Sequence, residues 1–236
     1  MFSEAPELYD VIYGAFKDYD GEAARIAGLV RDEVPNARRL LDVGCGTGEH
    51  AVRFHRDHGF DVTGLDLEPA FIERAQAKLP SGEFYRADMA DFDLNVRFDA
   101  IVCLFSSIGY LTNLRRVEAA ARCFYRHLTP GGVAVVEPWF SLDSWHPGRV
   151  HLHTAEIEGG HVVRMSHSTV EGQVSKLEFH YLIGTSEGID HRVEYHELGL
   201  FTASELTGAF ARAGFTSVRY DLEGLTGRGL VVAANS

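Results

Sequence analysis

Three acidic residues follow three successive strands that the sequence predicts in its first half. Asp42 lies at the end of the first strand, Asp66 closes the second, and Asp88 follows the third. Open α/β sheets bind ligands at the carboxyl ends of their strands, so the three carboxylates are expected at one site. There they can accept hydrogen bonds from an ammonium, from two ribose hydroxyls and from an adenine amino group, in that order. Leu67 and Met89, which directly follow two of these acids, are placed to sandwich the adenine ring.

A glycine-rich run, Gly44-Cys45-Gly46-Thr47-Gly48, joins the first strand to a short helix. Glycine lets the backbone turn tightly and lets a ligand lie against it. A dinucleotide site is the rival interpretation, but its G-x-G-x-x-G spacing places the third glycine one residue later, and Asp42 would repel a pyrophosphate. The run therefore favours S-adenosylmethionine (SAM) over NAD, with Gly44, Gly46 and Gly48 at the cofactor.

Strands and helices alternate up to Trp139, which implies right-handed crossovers. We therefore predict a doubly wound α/β fold with a mostly parallel sheet. Pro130-Gly131-Gly132 is predicted to turn into the fifth strand. The strands are predicted at Arg39–Val43, Asp61–Asp66, Glu83–Ala87, Phe98–Phe105 and Val133–Glu137, and the helices up to about Val34, at Glu49–His58, from Pro69 to about Leu79 and from about Asn113 to Leu128.

The pattern changes to period two between Val150 and about Leu200, as in Lys176-Leu177-Glu178-Phe179-His180-Tyr181. Such alternation with glycine turns predicts an inserted antiparallel meander of about four strands with one apolar face. Residues 150–200 are expected to cover the acceptor site or to form a homodimer interface. A helix at Ala203–Ala213 and strands at Ser217–Leu222 and Gly229–Ala234 are expected to rejoin the parent sheet, giving a single domain over residues 1–236.

Composition restricts the partners and the compartment. Of 236 residues, 45% are hydrophobic and 24% charged, which supplies a full core without disulfides. The net charge of -12 and the lack of a basic stripe argue against a nucleic-acid partner. No stretch is apolar enough to cross a membrane, and MFSEAPELYD lacks the pattern of a signal peptide. The three cysteines are widely spaced and are expected to be free thiols. Together with the missing signal peptide, this predicts a cytoplasmic protein.

Five further runs carry a family resemblance: Lys17-Asp18-Tyr19, Phe105-Ser106-Ser107-Ile108-Gly109-Tyr110, Glu137-Pro138-Trp139, Ser166-His167-Ser168 and Thr226-Gly227-Arg228-Gly229-Leu230. The whole sequence resembles the class I SAM-dependent methyltransferases, and these runs resemble the bacterial TDP-aminosugar N,N-dimethyltransferases of the desosamine and mycaminose type. Trp139-Phe140-Ser141 departs from the Trp-Trp-Phe of that family. The resemblance implies SAM as cofactor, with Tyr19 and Phe105 at its site. It also implies methylation, twice, of the amino group of a TDP-linked aminodeoxysugar.

An amine must be neutral to attack a methyl group, so the site needs a base or a route for the proton. Tyr110, at the exit of the fourth strand, is placed to contact the amine or a neighbouring hydroxyl, and the resembling family has Tyr or His there. A packed aromatic side chain is the alternative interpretation. Glu137, at the end of the fifth strand, could attract an ammonium or cap the loop.

The diphosphate of a nucleotide sugar needs cations. Arg228 is the first candidate, because its guanidinium forks to phosphate oxygens and its glycine neighbours admit a ligand. Arg164 and His167, on one meander strand, are the second candidates, and the resemblance adds Ser107. The alternative interpretation is that these arginines lie on the surface and are solvated.

Eight of the 12 histidines fall between residues 146 and 196. His151 and His153 share a strand face, but no cysteine or carboxylate cluster completes a metal site, so no metal is expected. Two other functions stay open: methylation of another small-molecule amine or hydroxyl, and a non-catalytic SAM-binding module. The three acids and the insertion argue against the module, and the loop spacing argues against a dehydrogenase.

Overall fold

The computed structural model describes residues 6–235. The sequence-based expectation about a leader peptide falls partly on residues 1–5, outside that range. None of the described helices is long and apolar enough to cross a membrane. The helices are α1 Tyr9–Gly14, α2 Tyr19–Glu33, α3 Glu49–Arg56, α4 Pro69–Lys78, α5 Leu114–His127 and α6 Ala203–Ala213, with 3-10 turns at Pro6–Leu8 and Ser107–Leu111. The strands are β1 Arg39–Val43, β2 Asp61–Asp66, β3 Glu83–Arg86, β4 Phe98–Cys103, β5 Leu128–Val136, β6 Val150–Ile157, β7 Gly160–Glu171, β8 Val174–Thr185, β9 Gly188–Gly199, β10 Ser217–Asp221 and β11 Leu230–Asn235.

The large sheet has seven strands in the order β10-β11-β5-β4-β1-β2-β3. Strands β1 to β5 pair in parallel, whereas β11 is antiparallel to both β5 and β10. Successive side chains of a strand point to opposite faces. Leu41 and Ile101 accordingly pack under α5 and α6 on one face, while Leu40 and Ala100 pack under α2 and α3 on the other. The predicted doubly wound, mostly parallel fold is confirmed.

The second sheet, here called the lid sheet, consists of β6-β7-β8-β9 in antiparallel order. The predicted four-stranded meander is confirmed. Its inner face packs against the first helix of the chain, where Phe179, Tyr181 and Ile183 form a buried cluster with Leu8 and Ile12. Burial of these apolar side chains fixes the lid sheet over the N-terminal segment.

Several boundaries differ from the prediction, most of them by one or two residues, and three of the differences have a clear physical reason. The N-terminal helical stretch is divided in two at Asp18, whose carboxylate caps α2 by accepting from the Gly21 N–H at 2.9 Å. Strand β4 ends at Cys103, because Phe105 and Ser106 adopt φ angles of 51° and 62°, which no strand tolerates. Strand β5 already begins at Leu128, so the predicted turn at residues 130–132 lies within it, and the pairing with β4 shifts there.

Candidate functional site

A cavity of about 560 Å³ lies between the carboxyl ends of the parallel strands and the inner face of the lid sheet. The large sheet contributes glycines, acids and aromatic side chains, and the lid sheet contributes mostly polar ones. From the large sheet come Gly44, Gly46, Asp66, Leu67, Asp88, Met89, Phe105, Ser107 and Tyr110. From the lid sheet come His151, His153, Arg164, Ser166, Ser168, Leu177, Phe179 and Leu198.

The glycine loop follows β1 and approaches the cavity with positive φ angles of 69° at Gly44 and 55° at Gly46. A Cβ on Gly44 would lie 2.7 Å from the Cβ of Ser107, so no larger residue fits. Ser107 therefore lies against the loop, at the junction of the cofactor and acceptor sides. Gly48 lines no part of the cavity. A Cβ there would lie 3.0 Å from Ala75, so this glycine serves the close packing of α3 and α4.

A small recess of about 30 Å³ opens beside the loop. Two of its buried polar atoms, Tyr19 Oη and Asp42 Oδ2, have no hydrogen-bond partner among the residues that the structure describes. Leaving such atoms unpaired is costly, which favours a polar ligand at this place. Burial, assisted by the nearby charge of Asp66, raises the pKa of Asp42 to about 7. The ammonium of an amino-acid group would satisfy Asp42 and neutralise its charge.

The other two predicted acids lie along the cavity at the ends of the neighbouring strands. Asp66 accepts the Gly46 and Glu68 N–H groups, each at 2.9 Å, one on each carboxylate oxygen. Asp88 accepts the Ala90 N–H at 2.9 Å and pairs with Arg116 at 2.6 Å. Both carboxylates are therefore held in fixed orientations at the cavity. Ribose hydroxyls fit the first and an adenine amino group fits the second.

Tyr110 lies at the end of the 3-10 turn after β4 and borders the cavity. Its hydroxyl is 3.0 Å from Nδ1 of His196, on strand β9. Nε2 of His196 lies 3.5 Å from the carboxylate of Glu194, and both side chains are almost completely buried. Sequence reasoning missed this pair. The available signal was the period-two alternation, which puts residues 194 and 196 on the inner face of the lid sheet.

Glu137 is fully buried and does not line the cavity, so it is not placed to attract the ammonium of an acceptor. Its Oε2 accepts the Phe105 N–H at 2.7 Å, and its Oε1 accepts from Arg228 at 2.7 Å and from Thr226 at 3.1 Å. Of its two predicted roles, loop stabilisation matches this geometry. It acts through the groups that it holds, among them Arg228, which does border the cavity.

Arg164 is only 5% exposed and lies between the rings of Tyr13 and Phe179, 4.8 Å from each centroid. Its Nε and Nη1 have no hydrogen-bond partner within residues 6–235, although it borders the cavity. His167, its predicted companion, is exposed and points to the outer face of the lid sheet. Residues three apart on a strand face opposite ways, which is why the two cannot share one ligand. The prediction that His167 binds the acceptor therefore does not match the structure.

Tyr9 and Tyr13 of α1 also line the cavity, although the sequence analysis did not single them out. Their spacing of four residues puts them on one face of the helix, and that spacing was the signal available in the sequence.

No group of three or more potential metal ligands occurs in the described part of the chain.

Comparison with known proteins connects this geometry to a family. Residues 40–132 match the model of a methyltransferase domain. The chain is 43% identical to the dTDP-3-amino-3,6-dideoxy-alpha-D-glucopyranose N,N-dimethyltransferase of Streptomyces fradiae, over 96% of this chain and 89% of that one. It is 40% identical to the dTDP-3-amino-3,4,6-trideoxy-alpha-D-glucopyranose N,N-dimethyltransferase of Streptomyces venezuelae, over 96% and 95%.

Solved structures agree. The crystal structure of Streptomyces venezuelae DesVI superposes with a TM-score of 0.92 at 39% identity, covering 98% of each chain. SAM-bound CalS10, an amino pentose methyltransferase from Micromonospora echinaspora, superposes with a TM-score of 0.88 at 40% identity, covering 97% of each chain. The glycine loop, the unpartnered Asp42 and Tyr19 atoms and the acids at the strand ends suit the same cofactor. The chain is a SAM-dependent methyltransferase and belongs to the family of the TDP-aminosugar N,N-dimethyltransferases.

Proposed function

We propose that the protein transfers methyl groups from SAM to the amino nitrogen of a TDP-linked aminodeoxysugar, twice in succession. The observation that carries the proposal is the pair of arginines, Arg164 and Arg228, that border the same cavity as the glycine loop. Both are largely buried and retain guanidinium nitrogens without a partner within residues 6–235. Buried cations facing an open cavity suit an anionic acceptor, and a diphosphate supplies the oxygens that a guanidinium binds. The relatives named above act on dTDP-linked aminosugars.

Bound SAM supplies a methyl group on a sulfonium, an excellent leaving system, so the chain must chiefly hold and align the reactants. On the cofactor side, Asp42 and Tyr19 would bind the amino-acid end and Asp66 the ribose. Gly44 and Gly46 would let the backbone lie against it, and Phe105 would border it. Leu67, Asp88 and Met89 would enclose and hydrogen-bond the adenine ring.

On the acceptor side, Arg164 and Arg228 would hold the diphosphate, with Ser107 at the junction to the glycine loop. Tyr110 would contact the amine, because it lines the same cavity as the cofactor and acceptor residues. The lid sheet would cover the acceptor and keep water from the reacting atoms, which strengthens every charged hydrogen bond inside.

The test is incubation of the protein with methyl-labelled SAM and a panel of TDP-linked sugars, with products analysed by mass spectrometry. We expect successive gains of one and two methyl groups on aminosugars and none on TDP-glucose, which lacks the amine. Methylation of small amines without a nucleotide would instead support another acceptor. SAM binding without turnover of any acceptor would support a non-catalytic module.

We also propose that the outer face of the lid sheet forms a homodimer interface. Leu152, Met165, Leu182 and Tyr195 on that face are 57%, 46%, 47% and 67% exposed. Exposed apolar side chains on neighbouring strands favour association, and a second copy offers a self-complementary surface. Sedimentation equilibrium should give a dimer for the natural sequence and a monomer for Leu182→Glu. A monomer for both at micromolar concentration would refute the interface.

A further inference from the structure

A buried pair of side chains lies directly behind the cavity tyrosine. Tyr110 Oη and His196 Nδ1 are 3.0 Å apart, and His196 Nε2 is 3.5 Å from Glu194 Oε2. The same carboxylate oxygen accepts the hydroxyl proton of Tyr181 at 2.8 Å. The side chains of the histidine and the glutamate are 0% and 1% exposed, and Tyr110, whose hydroxyl contacts the histidine, borders the cavity.

The direction of the Tyr110 hydroxyl follows from the tautomer of His196. At 3.5 Å the Glu194 carboxylate makes an electrostatic contact with Nε2 rather than a well-formed hydrogen bond. Its negative charge favours the proton on this nearer ring nitrogen, which leaves Nδ1 as an acceptor. The Tyr110 O–H then donates to Nδ1, and the lone pairs of its oxygen stay available to accept a hydrogen bond. We propose that Glu194 and His196 are positioning residues that keep the Tyr110 hydroxyl an acceptor toward the substrate amine. The proposal rests on the proposed function in that the acceptor is an amine.

This direction matters for an amine nucleophile. A hydroxyl that accepts an N–H from the amine leaves the nitrogen lone pair free and orients it. A hydroxyl turned the other way would donate its proton to that lone pair and occupy the electrons that form the new bond. Burial lowers the pKa of His196, so its ring is neutral near pH 7 and can accept. The Glu194 carboxylate opposes this shift, whereas Arg164, a cation that borders the same region, also lowers the pKa of His196.

The first test reads the tautomer without any turnover. Nitrogen-15 NMR of histidine-labelled protein, with the His196→Gln variant to identify the signal, distinguishes the protonated from the unprotonated ring nitrogen. We expect a protonated Nε2 and an unprotonated Nδ1 at pH 7, and a shift toward a mixture of tautomers in Glu194→Ala. A protonated Nδ1 in the natural sequence would overturn the proposal.

The second test is a double-mutant cycle in kcat. His196→Gln should lower kcat roughly tenfold with the KM for SAM unchanged, as expected for loss of one aligned hydrogen bond. In a Tyr110→Phe background the same change should have no further effect, because His196 acts only through that hydroxyl. His161→Gln, an exposed histidine of the same sheet, is the matched control. Equal losses in both backgrounds would mean a purely structural role and would overturn the proposal.

The two proposals can fail separately. If no TDP-aminosugar is methylated, the proposed function fails, while the NMR measurement still decides the direction of the hydroxyl. If aminosugars are methylated but the cycle is additive, only the positioning role fails.

Discussion

Glu137 and Arg228 form a buried ion pair, with 2.7 Å between Oε1 and Nη2 and side-chain exposures of 0% and 11%. The second carboxylate oxygen of Glu137 holds the backbone N–H of Phe105 at 2.7 Å. Phe105 has a φ of 51°, a left-handed conformation that non-glycine residues seldom adopt. One carboxylate therefore connects an arginine of the cavity with the turn that borders the cofactor recess.

Removing this charge should destabilise the fold. In Glu137→Gln, Arg228 keeps its buried charge without a counter-charge, and we expect a loss of about 3–5 kcal/mol in the free energy of unfolding. Denaturant unfolding monitored by circular dichroism measures it. Glu118→Gln is the control, because Glu118 pairs with the exposed Arg122 and Arg212 and should change stability by less than about 0.5 kcal/mol. Equal stability of the two variants would contradict the structural role of Glu137.

Asp66 should carry much of the SAM affinity. Asp66→Ala removes the acceptor for two ribose hydroxyls and releases the Gly46 N–H, so SAM binding should weaken by about 2–3 kcal/mol. Isothermal titration calorimetry measures the change. Asp61→Ala, at the exposed start of the same strand, should bind SAM as the natural sequence does. Unchanged SAM affinity in Asp66→Ala would refute the assignment to the ribose.

The fold could be predicted from sequence because its signals are local. Strand β1, the glycine loop and the acids follow from short runs in which burial, turn geometry and polarity agree. The strand boundaries were less accurate, because they depend on tertiary pairing. Strand β5, for example, keeps its pairing partner β4 through Gly131 and Gly132 by means of a register shift.

Side-chain partners could not be predicted in the same way. The sequence gives no sign that Arg228 pairs with Glu137, 91 residues away, or that Tyr110 meets His196, 86 residues away. Such pairs depend on how the lid sheet and the large sheet face each other. The error over His167, in contrast, was avoidable, since alternation along β7 alone separates it from Arg164.

Acceptor binding should depend on the two cavity arginines. Arg164→Ala and Arg228→Ala should each raise the KM for a TDP-aminosugar severalfold to a hundredfold, following roughly 1–3 kcal/mol for a charged hydrogen bond. The affinity for SAM should change little. Arg219→Ala, which breaks an exposed pair with Glu33, is the control. Steady-state kinetics at two salt concentrations provides the measurement, because salt should weaken the natural sequence toward the variants. Identical kinetics of the variants and the natural sequence at every salt concentration would show that these arginines do not bind the diphosphate.

The buried Asp42 should make a pH-dependent contribution to the stability of the SAM-free protein. Its folded pKa of about 7 exceeds the unfolded value of about 3.9, so between these values the folded state binds a proton that the unfolded state has lost. The contribution of Asp42 to stability therefore falls as pH rises from about 4 to 7 and stays constant above. An asparagine side chain does not ionise, so the Asp42→Asn variant should lack this loss of stability.

The free energy of unfolding of Asp42→Asn should equal that of the natural sequence near pH 4. At pH 8 it should exceed it by about 2–4 kcal/mol, as the difference between the folded and unfolded pKa values implies. Urea unfolding across this pH range measures the difference, while SAM binding by the variant should be much weaker. A stability difference that is independent of pH would show that Asp42 is ionised at its ordinary pKa in the folded protein.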